Sequence, residues 1–140
     1  MPAKEELKER VIEAIENRSA EIREIGETIL HHPEMGFKEV KTAALVEEKF
    51  RSLGLSYQKG VALTGVVANL PGRAKKMRLA LMGELDSILV PSNPNADPLT
   101  GAAHACGHNA SIAGMLGAAM GLIDSGAMKE LDGDVSLMAV

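Results

Sequence analysis

Cysteine occurs once in the 140 residues, at Cys106, and tryptophan does not occur at all. One cysteine cannot close an internal disulfide, which points to a reducing compartment and hence the cytoplasm. Aromatic residues are nearly missing: Phe37, Phe50 and Tyr57 are the whole set, so Leu, Ile, Val, Ala and eight Met must fill the core. No apolar run approaches the ~20 residues that span a bilayer. The opening MPAKEELKER is charged from Lys4 onward, where a signal peptide would be apolar. A net charge of −4 gives no electrostatic reason to expect nucleic acid or an anionic membrane as partner. Repeats, low-complexity tracts and linkers are also lacking.

What remains is a globular composition, 46% hydrophobic and 24% charged, in a length suited to one domain. Leu7, Val11 and Ile15 recur every four residues, and Ile22, Ile25 and Ile29 continue the stripe with a phase shift after Asn17. The first thirty residues therefore read as helix, ended by Pro33 and Gly36. His31 and His32 fit its C-terminus, where a partly charged imidazole meets the negative end of the dipole. A second amphipathic helix is expected from Phe37, with Phe37, Val40, Ala44, Leu45, Phe50 and Leu53 as its buried face and Gly54 closing it. The period then shortens. LSYQK, GVVANL and MRLALMGEL read as strands, Arg73, Lys75 and Lys76 as a solvated turn, and VPSNPNADPLTG as a loop. A helix from about Asn109 to Ile123 and a strand, GDVSLMAV, complete the pattern. Helices alternating with strands imply an α/β sheet with helices on its faces. Ligands of such sheets gather beyond the carboxyl ends of strands. The last strand reaches Val140, so the polypeptide is expected to be part of something longer, with an unpaired sheet edge that favours self-association.

Two short constellations carry chemistry. In HACGHN, Cys106 and His108 flank Gly107. On a helix that spacing would send them apart, whereas on a loop both can reach one ion. Gly107 permits the tight path. Asn109 or Ser111 could cap the helix that follows, whose positive end favours thiolate. Inside that helix Ala113, Gly114, Gly117, Ala118 and Gly121 form a small face suited to close packing on the sheet, while Met115 and Met120 fill core. In MGELDSI, Glu84 and Asp86 alternate out of an apolar strand and share a face at its carboxyl end. They could steer a ligating histidine, act as base or ligate metal. Packing of a structural cysteine with a capping histidine, and carboxylates capping a turn, are the plainer alternatives. So is Cys106 as the nucleophile of a thiol hydrolase.

The segments HHPEMGFKEVKTAALVEEKFRSLG, TGVVANLPG, GELDS and HACGHN occur in an order that resembles the metal-dependent amidohydrolases related to aminoacylase, hippurate hydrolase and aminobenzoyl-glutamate hydrolase. The resemblance covers nearly the whole chain. It implies an α/β catalytic domain similar to zinc exopeptidases, a mixed sheet flanked by helices, present here in truncated form. Residues 1–140 then correspond to the N-terminal segment, without the inserted dimerisation domain and the C-terminal half. It further implies that Cys106 and His108 are metal ligands and that Asp86 is the catalytic acid supporting the site. Glu84, His104 and Asn109 become ligands or neighbours of ligands. Two divalent ions are implied as cofactors, Zn or Mn first and Co or Ni next. The implied substrate is a small-molecule amide or dipeptide, such as an N-acyl amino acid or an amino-acid conjugate, and a homo-oligomer is implied as the assembly. Many relatives carry Asp where Asn109 stands and His where Ser111 stands, and the Val90–Ala103 loop is longer than the usual link. The family's paired Glu and two further His have no counterpart here, so the fragment is expected to be inactive alone. A non-catalytic module keeping the same fold is the alternative.

Overall fold

The computed structural model describes residues 3–140. The expected first helix is two: α1 (Lys4–Asn17) and α2 (Ser19–Leu30), with Arg18 at φ −101° and ψ 5° between them. The phase shift after Asn17 is thus a true break. Arg18 is held there by Glu21 at 2.7 Å and Asp124 at 2.8 Å, two carboxylates that raise its pKa, Asp124 foremost. His31 and His32 end α2 as expected, His32 Nδ1–H donating to the Thr28 carbonyl at 2.7 Å.

α3 (Val40–Ser52) begins three residues later than expected. Phe37 and Val40 are 72% and 69% exposed, and Ala44 is exposed too. The buried stripe is rotated to Thr42, Ala43, Val46 and Phe50, because Phe37 lies in the preceding turn at φ 62° and cannot set the helical phase. Phe50 is fully enclosed, a burial worth about 1.5–3 kcal/mol. Gly54 follows the helix as expected, its N–H bonding to Arg51.

β1 (Tyr57–Val61), β2 (Gly65–Leu70) and β3 (Arg78–Gly83) follow. The Pro- and Asn-rich stretch, expected as a loop, contains a short hairpin, β4 (Ile88–Leu89) with β5 (Ala102–Ala103). Polar side chains tie its tip: Asp97 accepts from the Leu99 and Thr100 amides and the Thr100 hydroxyl. α4 (His108–Asp124) and β6 (Asp134–Ala139) close the chain. The turn at Arg73–Lys76 is not merely solvated, since Asp132 pairs with both Arg73 and Lys76.

The main sheet has the order β1-β2-β6-β3 and is mixed: β6 runs antiparallel to β2 and parallel to β3. A parallel pair needs a crossover, and α4 supplies it. Val66, Ala68, Leu70, Val135 and Leu137 turn one face of the sheet into the core with Phe50, Ile112, Leu116 and Met120. Residues of opposite parity, Asn69, Ala80 and Met82 among them, are exposed on the other face. Among the described residues no helix is long and apolar enough to cross a membrane.

The small residues of α4 do not pack on the sheet as expected. A Cβ on Gly121 would stand 2.5 Å from Ile15 Cγ1, and one on Gly117 2.9 Å from Ile22 Cδ1. They admit α1 and α2. Ile112 and Leu116, fully buried, serve the sheet side, Ile112 Cδ1 reaching within 2.9 Å of where a Gly83 Cβ would be. Met115 and Met120 are core, as expected.

Candidate metal half-site

Two segments meet at the carboxyl end of β3. The first is Glu84–Ser87, leaving the strand; the second is His104–Ser111, entering α4. Gly107 turns the chain at φ 80°, a left-handed conformation that a side chain resists, and its carbonyl accepts the Ala110 and Ser111 amides. The expected side-chain cap is not formed. Asn109 Nδ2 instead donates to the Gly26 carbonyl at 3.2 Å, fastening α4 to α2. Ser111 Oγ accepts from the Glu84 amide and donates to the His108 carbonyl, both at 3.1 Å, so it ties the two segments together. The backbone turn at Gly107 has made a capping side chain redundant.

His108 is the pivot. Its Nδ1 lies 2.8 Å from Asp86 Oδ1 and 2.9 Å from the Asp86 carbonyl. Two acceptors facing Nδ1 place the ring hydrogen there, which leaves the Nε2 lone pair outward in the neutral ring. Nε2 is 3.3 Å from Glu84 Oε2. A lone pair facing a carboxylate is repulsive unless a proton or a cation lies between them. A carboxylate behind a histidine that offers its other nitrogen is the usual support of a metal ligand. Glu84 and Asp86 thus converge on one imidazole from its two sides.

Cys106 is a free, exposed thiol on the turn before α4. Among the described residues no hydrogen bond joins its sulfur to an imidazole. His104 is 7% exposed, and neither ring nitrogen has a partner among the described residues. Burial pushes its pKa below the ordinary histidine value, and His108 adds to that against the pull of Asp86 and Glu34.

Glu34 is the residue that sequence reasoning missed. Its carboxylate accepts from the Lys41 amide, the Thr42 amide and the Thr42 hydroxyl at 3.0, 2.8 and 2.8 Å, capping α3 from a distance. Its carbonyl accepts from Ser87 N at 2.8 Å and Ser87 Oγ at 2.9 Å, anchoring the residue next to Asp86. The signal was available: α3 starts without a serine, threonine, aspartate or asparagine at its head, so an acceptor must come from elsewhere.

A thiol, an imidazole with a carboxylate behind it, a second carboxylate and an unpartnered buried histidine form a donor set suited to Zn-like ions. They fit such an ion as part of a site. Among the described residues no three His, Cys, Asp or Glu side chains gather into a complete cluster. A cavity of about 550 Å³ lies elsewhere, lined by residues such as Leu55, Leu70 and Met128 that bear no donor chemistry.

The structure is thus a mixed α/β unit with polar donors beyond the carboxyl end of β3 and at the entry to α4. Comparison with known proteins supports a narrower statement. Thermostable carboxypeptidase 1 of Saccharolobus solfataricus is 32% identical over 123 residues, covering 80% of this chain and 31% of its own length. IAA-amino acid hydrolase ILR1-like 5 of Arabidopsis thaliana is 34% identical over 113 residues, 79% of this chain and 25% of its own. The crystal structure of Bacillus subtilis YXEP, a dinuclear metal binding peptidase of the M20 family, superposes with a TM-score of 0.70 at 27% identity, over 86% of this chain and 34% of that one. An aminobenzoyl-glutamate utilization protein from Klebsiella pneumoniae shares the fold alone, with a TM-score of 0.67 at 18% identity, over 93% of this chain and 38% of that one. No family model matches the chain. The chain belongs to the M20 family of amidohydrolases and peptidases. It spans between a quarter and two fifths of the length of these relatives.

Proposed function

We propose that this chain supplies one wall of the dinuclear metal centre of an amidohydrolase. The intact enzyme would cleave the amide bond of N-acyl amino acids, amino-acid conjugates or dipeptides, and the chain would be inactive by itself. The observation that carries this reading is His108, clamped at Nδ1 by Asp86 with Nε2 turned outward beside Glu84, two residues from an exposed thiol. Relatives named as a carboxypeptidase, an IAA-amino acid hydrolase and a dinuclear metal binding peptidase support the reaction class.

In this reading Cys106 and His108 Nε2 hold an ion. Asp86 fixes the imidazole by holding the proton at Nδ1, and Glu84 balances charge at the rim or joins the ligands. Burial favours the neutral form of His104, whose two ring nitrogens have no partner among the described residues. Asn109 positions the helix entry through Gly26. A bound pair of divalent ions supplies Lewis acidity toward the scissile carbonyl and a water of lowered pKa. Thiolate ligation favours Zn or Mn, then Co or Ni, over Mg or Ca. The remaining ligands and the base for that water are assigned to polypeptide outside these 140 residues. An exposed ligating thiol suits a reducing, cytoplasmic setting.

Metal content measured by mass spectrometry tests the reading. The chain is expected to retain divalent ion when supplied with Zn or Mn, and Cys106→Ala and His108→Ala are each expected to lower retention at least tenfold. Stoichiometric retention unchanged by both substitutions would refute the ligand assignment.

A further inference from the structure

The main sheet has two ends, and the half-site occupies one of them. β2 runs antiparallel to β6, which runs parallel to β3, so the carboxyl end of β2 lies at the end away from Asp86 and His108. There α3, β2 and α4 all finish, and a short helical turn, Ala127–Lys129, follows α4. Between these segments lies the cavity of about 550 Å³. Leu70 and Met128, 2% and 9% exposed, belong to the core and close the cavity on its inner side. Leu53, Leu55, Leu122 and Ile123 are half-buried along its walls.

The walls are fixed by directed backbone bonds. The Leu55 amide donates to the Phe50 carbonyl at 2.9 Å, which turns the chain back after α3. The Gly72 amide donates to the Asp134 carboxylate at 3.1 Å, and the Arg73 amide to the Leu131 carbonyl at 2.8 Å. A Cβ on Gly72 would overlap the carbonyl oxygen of Gly133, so only glycine lets these two segments close on each other. A pre-formed hollow of this size, with apolar walls and a few placed polar groups, is the usual form of a small-molecule site.

Charge narrows the class of ligand. Two lining side chains ionise, Arg73 and Lys129, and both are cations. Arg73 is engaged by Asp132. Lys129 is exposed and has no ion pair among the described residues. Neighbouring acids leave it so, because Glu130 pairs with Arg10 and Asp132 pairs with Arg73 and Lys76. We propose that the cavity binds a small apolar carboxylate, its hydrocarbon seated among the leucines and its head paired with Lys129. Seating the hydrocarbon removes half-wet apolar surface from water and supplies most of the affinity. An exposed ammonium adds a modest preference for an anion over a neutral molecule of the same shape.

This site stands apart from the metal reading, and its test needs no metal. Sodium decanoate, kept below its micelle concentration, is the probe in a heteronuclear NMR titration of the wild-type chain. Saturable binding is expected, with shifts of the Leu55, Gly72, Arg73 and Gly126 amides. Decanol should bind more weakly and acetate not at all. Lys129→Ala is expected to weaken decanoate binding about threefold to fivefold, the scale of an exposed ion pair, without changing decanol binding, and Lys129→Arg should restore it. Ile123→Trp, which fills the cavity, should abolish binding of both. Should that variant not fold, the two substitutions at the exposed Lys129 still decide. A smaller hollow of about 370 Å³ lies against α1, lined in part by Leu7, Val11 and Ile12. Shifts centred on those residues, the absence of saturable binding, or decanoate affinity unchanged by Lys129→Ala would each overturn the proposal.

Discussion

From Ile112 to Gly121, α4 is held by shape; from Gly107 to Ser111 it is held by a few directed polar bonds. In the first region Ile112 and Leu116 are fully buried and Ile15 and Ile22 press where side chains would have been. In the second, Cys106 is exposed and His108, Asn109 and Ser111 each make bonds to a separate segment. Packing of that density makes the helix a rigid post. The turn at its head can then hold the exposed Cys106 thiol and the His108 ring in fixed positions. Stability and chemistry are thus assigned to adjacent stretches of one helix.

The difference can be probed by substitution. Gly121→Leu is expected to have the largest effect, a loss of about 3 kcal/mol by overpacking against Ile15 and the Val11 carbonyl, read as a shift in the urea midpoint. Loss below about 1 kcal/mol would show that α1 is free to move away and that the packed region is not rigid. Glu34→Ala should come next, at about 1–2 kcal/mol, the scale of a lost helix cap. The backbone carbonyl that holds Ser87 is untouched by this substitution, so the Ser87 amide shift should stay in place while the Lys41 and Thr42 amide shifts move. Cys106→Ser should change stability by no more than about 0.5 kcal/mol, since an exposed thiol without partners holds nothing in place. A larger loss would move Cys106 from the open region to the packed one.

The smallest effect concerns the hairpin beside the site. The Thr100 amide, and then its hydroxyl, hold the Asp97 carboxyl below its ordinary value of 3.8. A depressed carboxyl contributes its stability above the unfolded value and loses it as pH falls through the lower folded one. The Thr100 amide shift should therefore titrate with a midpoint below 3.8, and the titration should vanish in Asp97→Asn. A midpoint at or above the ordinary value would leave the tip without that bond.

Much of this architecture was legible in the residues. Alternation in GVVANL and GDVSLMAV gave two strands, and the apolar density of α4 gave a buried helix. The misreadings share a cause, which is that local pattern does not say which neighbour arrives. Phe37 belongs to the apolar set in sequence but sits in a turn at φ 62°, so the stripe of α3 had to be found from Val46 and Phe50. The glycines of α4 signal a close approach without naming α1 and α2 as what approaches. Asn109 looks like a cap because caps are local, but it reaches Gly26 across 83 residues of chain. In the site, the spacing of Cys106 and His108 and the alternation of Glu84 and Asp86 were visible. The bare head of α3 signalled that an acceptor such as the Glu34 carboxylate must come from elsewhere, whereas its second contact, through the carbonyl to Ser87, leaves no mark in the residue type.

The central claim is that Cys106 and His108 present their lone pairs to a common ion. Titration with Co(II), a spectroscopic substitute for Zn, addresses it through the sulfur-to-cobalt charge-transfer band in the near ultraviolet. The account requires that band in the wild-type chain, its loss in Cys106→Ser, and its weakening in both His108→Ala and Asp86→Ala. A band untouched by loss of His108, or no thiolate band at saturating Co(II), would contradict it.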